Sequence, residues 1–295
     1  MPPLRTWFRL LRPEQWTKNA LVLAAFIFAL GDRNQYLGWV GFGTPLIAAA
    51  AFCLLSSAVY ILNDIRDAPR DRLHPVKSRR PVAAREVSVP AAAAVALVLL
   101  AVSLAVAAKI AFPFFAVLLV YFLLQLAYTF LLKRLPLLDV IVIALGFVLR
   151  ALAGAAAIAV PISPWLLVCT LLLATFLALC KRLHEKVNLG AAGTRDALGG
   201  YSPRLLDQLI AMTGAATLVS YSIYTLWPET VDKFGTEWLC ATIPFVLFGL
   251  FRYLHLVYQQ DKGDQPERIL LTDFPLLADI ALYGLVLLAV LFLPR

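Results

Sequence analysis

The sequence predicts an all-α membrane protein with nine transmembrane helices. Three observations carry that prediction. Of 295 residues, 61% are hydrophobic and 15% charged, with a mean hydropathy of +0.81; a soluble domain is about 45–50% apolar and about a quarter charged. The apolar residues fall into runs of the length, roughly 20 residues, that crosses a bilayer as a helix. The Lys and Arg residues gather on alternate connections between those runs, which is the pattern topology imposes.

The runs are 17–31, 39–62, 89–108, 112–132, 137–160, 164–180, 207–227, 237–258 and 273–294. Pro113, Pro136 and Pro164 lie near starts, where a first helical turn tolerates proline. Of the 26 Lys and Arg residues, 20 lie in the N-terminal arm and the connections 63–88, 133–136, 181–206 and 259–272, and four lie on the opposite side. Arg150 and Arg252 fall inside runs. The asymmetry predicts a multi-pass protein of the bacterial plasma (inner) membrane, with the N-terminus in the cytosol and the C-terminus outside. It also accounts for most of the net charge of +8, so no nucleic-acid partner is expected. One polytopic membrane domain over 1–295 is expected, its functional loops near 63–88 and 181–206 facing the cytosol and membrane lipid around it. The first run follows a basic stretch but has no small-residue cleavage site, so no cleavable signal is expected. Cys53, Cys169, Cys180 and Cys240 show no CxxC spacing, which argues for buried hydrophobes over a zinc site.

The chemistry concentrates after the second run, in NDIRDAPRDRLHPVKSRRPVAA from residue 63. On a helix Asp64, Asp67 and Asp71 stand at i, i+3 and i+7 and share a face, with Asn63 beside them. Three adjacent carboxylates repel one another unless a cation neutralises them, and magnesium commonly links one or two carboxylates to substrate phosphates. Arg66, Arg70, Arg72, Lys77, Arg79 and Arg80 supply phosphate-binding cations from the same stretch. The competing reading is a solvated loop of acid–base pairs, which contribute little; charge at the end of a span favours function. Arg150 sits about 16 Å along its helix from Asp139, near mid-bilayer. Asp139, Gly146 and Arg150 share a stripe that should face the bundle interior. Contact with a substrate phosphate or a cavity acid, and a structural ion pair, both remain open for Arg150.

The NDxxDxxxD pattern at the end of the second run resembles the first aspartate-rich motif of the UbiA superfamily of intramembrane prenyltransferases. The span count, the orientation and Tyr128-Thr129 with Lys133-Arg134 resemble it too. That resemblance implies a UbiA-like bundle around a lipid-accessible cavity and a magnesium-bound diphosphate. Trp16 and Lys18 read as an interface anchor, whereas the resemblance implies that Lys18 and Asn19 line the cavity, with Tyr128, Lys133 and Arg134 as substrate contacts. The segments RPEQWTKN (12–19), NDIRDAPRDRLHPVKSRRPVA (63–83), GFVLRALAG (146–154) and PERILLTDFPLL (266–277) resemble the decaprenyl-phosphate phosphoribosyltransferase branch. That branch implies transfer of 5-phosphoribose from phosphoribosyl pyrophosphate (PRPP) to a polyprenyl phosphate. Pyrophosphate is released, and the product serves arabinogalactan precursor synthesis in the cell wall.

The sequence departs from the prenyltransferase pattern at the second motif. Between the sixth and seventh runs it reads KRLHEKVNLGAAGTRDALGGYS from residue 181, basic and without a DxxxD. A donor with an additional phosphate suits that change. Lys181, Arg182 and Arg195 are then candidate phosphate ligands, and Glu185 a contact for ribose or metal. Two rivals stand beside this reading: a UbiA-type enzyme moving a prenyl group to an aromatic acceptor, and a transporter or lipid-binding protein. The irregular second motif counts against the first, and the lack of a repeat between halves against the second. The oligomeric state is open, a homo-oligomer included.

Overall fold

The computed structural model describes residues 3–32, 43–73, 76–188, 196–260, 269 and 272–292. Among these the regular structure is helical throughout. Helix α1 is Leu4–Leu11, α2 Ala24–Leu30, α3 Gly43–Asp71, α4 Val89–Ile110, α5 Phe112–Phe130 and α6 Leu138–Ala157. They are followed by α7 Pro164–Asn188, α8 Pro203–Leu226, α9 Pro228–Phe234, α10 Ile243–Gln259 and α11 Phe274–Phe292. Among the described residues, eight helices are long and apolar enough to cross a membrane: α3 to α8, the stretch Trp238–Gln259 and α11. They make the chain a multi-pass membrane protein.

The first run, 17–31, is not a ninth such helix. It is built as a 3-10 segment, Pro13–Leu23, followed by the seven-residue α2. Its polar side chains explain the irregular path. The Trp16 indole N–H donates to the Ser57 hydroxyl at 3.0 Å, Ser57 donates to the Leu11 carbonyl at 2.8 Å, and the Asn19 amide donates to Ser56 at 3.0 Å. These bonds tie the segment to α3 side by side. Gly154 is needed on its other flank, because a Cβ there would run into the Val22 carbonyl.

The chain forms two compact units. The first takes in residues within 1–26, 39–133 and 149–161. One cluster in it packs Val22, Phe52, Leu55, Phe114, Leu118, Tyr121 and Ala153. Another packs Leu10, Ala58, Ile61, Val82, Val87, Ala92 and Ala96. Ala92 and Ala96, one turn apart on α4, are the small side chains that let helices in lipid approach closely. Ser103 donates to the Ala51 carbonyl at 2.8 Å and fastens α4 to α3. The Ser88 hydroxyl caps α4 by accepting from the Ala91 N–H at 3.4 Å.

The second unit takes in residues within 27–38, 134–148 and 162–295. Phe176, Leu179, Leu183, Leu206, Ile210, Tyr253, Leu256 and Leu276 form its main core. Tyr224, Phe234, Leu239 and Leu287 form a second cluster, beside which the Tyr221 hydroxyl bonds Thr242 at 2.6 Å and Tyr283 at 3.2 Å. Gly235, at φ 63°, ends α9 in the left-handed conformation that favours glycine. Arg252 forks onto Asp273 at 3.0 and 2.8 Å, and Asp273 also accepts from the Leu276 N–H at the start of α11.

Two connections differ from the sequence expectation. Helix α3 runs on to Asp71, so the acidic stretch is helical and not a loop until after that residue. Helix α7 runs on to Asn188, so Lys181, Arg182 and Glu185 are helical as well. Hydropathy marks where a helix can lie in lipid; it does not mark where the helix ends once its last turns reach water.

Candidate active site

The acidic cluster occupies the last three turns of α3, where the i, i+3, i+7 spacing puts Asp64, Asp67 and Asp71 on one face. Each carboxylate is met by a cation. Asp64, only 2% exposed, accepts from the Arg12 guanidinium and from Arg80 Nη1 at 3.2 Å. Arg80 Nη1 also donates to Asp71 at 2.6 Å, so one guanidinium bridges two carboxylates. Lys133 Nζ donates to Asp67 Oδ1 at 2.6 Å and to the Asn63 side-chain Oδ1 at 3.2 Å. Buried carboxylates are tolerated only when paired and hydrogen-bonded, and this set meets that condition.

Arg12 reaches Asp64 because of an unusual backbone. It ends α1 at φ 53°, in the left-handed region, and its guanidinium lies 5.4 Å from the centre of the Tyr60 ring. The sequence reading did not single out Arg12 for the site. No spacing in the sequence pointed to it, because its partner Asp64 lies 52 positions away.

The donor set fits magnesium in chemistry: three carboxylates and a side-chain amide oxygen, all hard ligands. Among the described residues no three acidic, His or Cys side chains converge on one point. Each carboxylate is instead turned to its basic partner.

The remaining expected residues divide by position. Arg66 lies over the Phe130 ring at 5.3 Å. Arg70 is exposed, and Arg72 donates to the Ala83 carbonyl at 3.3 Å. Lys77 and Arg79 lie in a short 3-10 turn, and the Arg79 carbonyl accepts from Arg9 at 2.5 Å. Tyr128 is half-buried and Arg134 exposed. Lys18 donates to Gln15 at 2.6 Å within the 3-10 segment. Arg195 lies outside the described residues.

Arg150 is 4% exposed and belongs to the first unit. Its Nε donates to the Asn19 side-chain Oδ1 and its Nη2 to the Tyr121 hydroxyl, each at 2.9 Å. The guanidinium also lies 5.4 Å from the Phe52 ring centre and 5.1 Å from that of Tyr121. Aromatic faces and neutral acceptors solvate this deep cation. Asp139, on the same predicted stripe, takes different partners.

In the second unit Arg182 is 1% exposed. Its Nε donates to Asp139 Oδ2 at 2.7 Å and its Nη1 to Glu185 Oε2. The Tyr201 hydroxyl donates to Asp139 Oδ1 at 2.6 Å and accepts from the Leu137 N–H at 2.6 Å. Burial, followed by the bond to Asp139, pushes the Tyr201 phenol well above its ordinary pKa, so it stays a donor. Lys181 is half-buried one residue before Arg182. Asp139 and Tyr201 were not among the expected site residues.

Membrane-length helices with an acid–base cluster at a helix end define a polytopic membrane protein with a polar candidate site. Residues 20–274 match the UbiA prenyltransferase family, and the chain belongs to that family. It is similar to the decaprenyl-phosphate phosphoribosyltransferase of Corynebacterium glutamicum, with 34% identity covering 89% of this chain and 80% of that protein. It is 35% identical to the decaprenyl-phosphate phosphoribosyltransferase of Mycobacterium tuberculosis, over 89% of this chain and 86% of that one. Its fold resembles that of a UbiA homologue from Archaeoglobus fulgidus solved with GPP and Mg2+. The TM-score is 0.74 at 22% identity, over 97% of this chain and 99% of the homologue.

Proposed function

We propose that this protein transfers 5-phosphoribose from PRPP to a polyprenyl phosphate of decaprenyl type, releasing pyrophosphate. The observation that carries this reading is the near full-length likeness to two enzymes named for that lipid and that transfer. In the reaction the C1–O bond of the donor ribose breaks, and its electron pair leaves with the diphosphate. A phosphate oxygen of the lipid forms the new bond to C1. A phosphate monoester dianion is nucleophilic enough to need little general-base help.

The charge pattern of the first unit suits such a donor. Asp64, Asp67 and Asp71, with Asn63, would hold magnesium, whose bound form supplies neutralisation of the diphosphate charge. Arg12, Arg80 and Lys133 bring fixed positive charge to the same helix end, where phosphate oxygens take charge-assisted hydrogen bonds. Arg66, Arg70, Arg72, Lys77 and Arg79 extend the basic surface. We assign Lys181 and Arg195 to the second phosphate of the donor and Glu185 to its ribose; Arg182, expected among the phosphate ligands, is withdrawn from them because it is buried against Asp139 and Glu185. The excess of Lys and Arg on one side supports a cytosolic site in the bacterial plasma membrane. The lipid product fits a precursor of cell-wall arabinan.

The test is transfer of label. Purified protein, magnesium and decaprenyl phosphate are incubated with radiolabelled PRPP, and the lipid is extracted into organic solvent. Label in the organic phase, lost when magnesium is omitted, is the expected outcome. Consumption of a prenyl diphosphate with an aromatic acceptor, and no lipid label, would replace this reading with prenyl transfer.

A further inference from the structure

The most heavily buried charges in the second unit form a chain of four side chains from three parts of the sequence. Tyr201 follows the 3-10 turn Asp196–Gly200, Asp139 opens α6, and Arg182 and Glu185 stand one turn apart near the end of α7. Each link is a direct hydrogen bond: Tyr201 to Asp139 at 2.6 Å, Arg182 to Asp139 at 2.7 Å, and Arg182 to Glu185. Asp139 is 0% and Arg182 1% exposed.

Two further features fix the outer end of the chain. Leu137 is held at φ 68°, a conformation costly for a branched residue, and its N–H is the one that donates to Tyr201. Gly200 lies so close to the Pro136 ring that a Cβ there would overlap it. Lys186 adds a third tie, donating to the Leu198 carbonyl at 3.0 Å. The connection before α6 and the turn before α8 are thus locked together beside the end of α7. A guanidinium this enclosed is committed to its carboxylates.

We propose that Tyr201 and Asp139 are positioning residues. Through Arg182 they hold the Glu185 carboxylate in the orientation that accepts a hydroxyl of the donor's ribose. The inference rests on the phosphoribosyl-transfer reading above. Glu185 touches substrate in that reading; the inference adds that Arg182 orients Glu185, and Asp139 with Tyr201 orients Arg182. The arrangement answers a general need: a carboxylate recognises a sugar hydroxyl well only when its own rotamer is locked by surrounding bonds.

The experiment is a double-mutant cycle on Tyr201→Phe and Glu185→Gln, read as KM for PRPP and kcat in the label-transfer assay, with thermal stability measured alongside. Tyr201→Phe keeps the ring and removes both bonds of the hydroxyl. A rise of about tenfold in KM with kcat within about twofold is expected, the signature of lost substrate binding. In the Glu185→Gln background Tyr201→Phe should add less than about twofold, because its effect passes through Glu185. Multiplicative effects, or a lower melting temperature with KM unchanged, overturn the proposal and leave Tyr201 a fastening only. Should Tyr201→Phe not fold, Asp139→Asn enters the same cycle with the same two outcomes. Wild-type protein that transfers no label from PRPP overturns the underlying reading, and the inference with it. Transfer by wild type with multiplicative effects overturns the inference alone.

Discussion

The Lys133 ammonium lies 2.6 Å from the Asp67 carboxylate, joining the 3-10 turn Leu132–Arg134 after α5 to the acidic face of α3 across 66 positions of sequence. Lys133 also reaches the Asn63 amide oxygen at 3.2 Å, so one flexible cation serves two of the proposed metal-site residues. Lys133→Met should reduce phosphoribosyl transfer about tenfold or more. Its cost in stability should be only about 1 kcal/mol, because the Asp67 side chain is 26% exposed and water screens the pair. Activity and melting temperature measured on the same preparation check both halves.

Asp64 should behave differently. Its side chain is 2% exposed and faces both Arg12 and Arg80. Asp64→Ala leaves the Arg12 guanidinium without its acid and Arg80 with Asp71 alone, a change of the kind that costs about 3–5 kcal/mol. Transfer should fall by more than about a hundredfold, as expected where a carboxylate both binds metal and orders its neighbours. Asp64→Asn separates these effects: it should recover much of the melting temperature and little of the activity.

Gly154→Ala tests the close approach of the 3-10 segment to α6. The added Cβ would meet the Val22 carbonyl, a backbone atom that cannot rotate away. Overpacking of this kind costs about 1–3 kcal/mol, read as a lower melting temperature. Gly284→Ala, with open space around the new methyl inside α11, should leave stability unchanged or raise it by up to about 1 kcal/mol.

Tyr121→Phe tests the account of Arg150. It removes the acceptor 2.9 Å from the guanidinium and keeps the ring face beneath it. A loss of about 1.5–3 kcal/mol is expected for a hydrogen bond to a charged group, measured by thermal unfolding in detergent. An unchanged melting temperature would mean that the aromatic faces and Asn19 suffice.

Magnesium should raise the melting temperature of the protein without substrate, by mass action on a site present only when folded. Asp71→Asn should weaken that shift. Arg80→Gln, which removes the cation 2.6 Å from Asp71, should strengthen it at low magnesium, because a competing positive charge has gone. Melting curves over a magnesium series distinguish these outcomes.

Helices written as continuous apolar runs were legible in the sequence, since hydropathy and length act locally and α4, α5 and α11 need nothing more. The acidic face was legible for the same reason: helical pitch alone puts Asp64, Asp67 and Asp71 together. What pairs with that face was legible only in part. Arg80 stands nine residues from Asp71, but Arg12 reaches Asp64 over 52 positions and Lys133 reaches Asp67 over 66. Sequence spacing carries no information about such partners until the helices are packed. The irregular path of the first run was not legible from hydropathy, because it goes with Trp16 and Asn19 hydrogen-bonding across to α3. Arg182 read as one basic residue among several; its burial against Asp139 depends on a partner 43 positions earlier.

The continuation of α3 through Asp71 has a consequence for how the site tolerates change. Carboxylates carried on a rigid rod keep their bearing only while the residue count between them is kept. Inserting or deleting one residue between Asp64 and Asp71 would swing one acid about 100° around the helix axis and aim it away from its neighbours. Length variation there should therefore be more damaging than most single side-chain replacements. Among related chains, the interval between these aspartates should stay fixed even where the residues filling it drift.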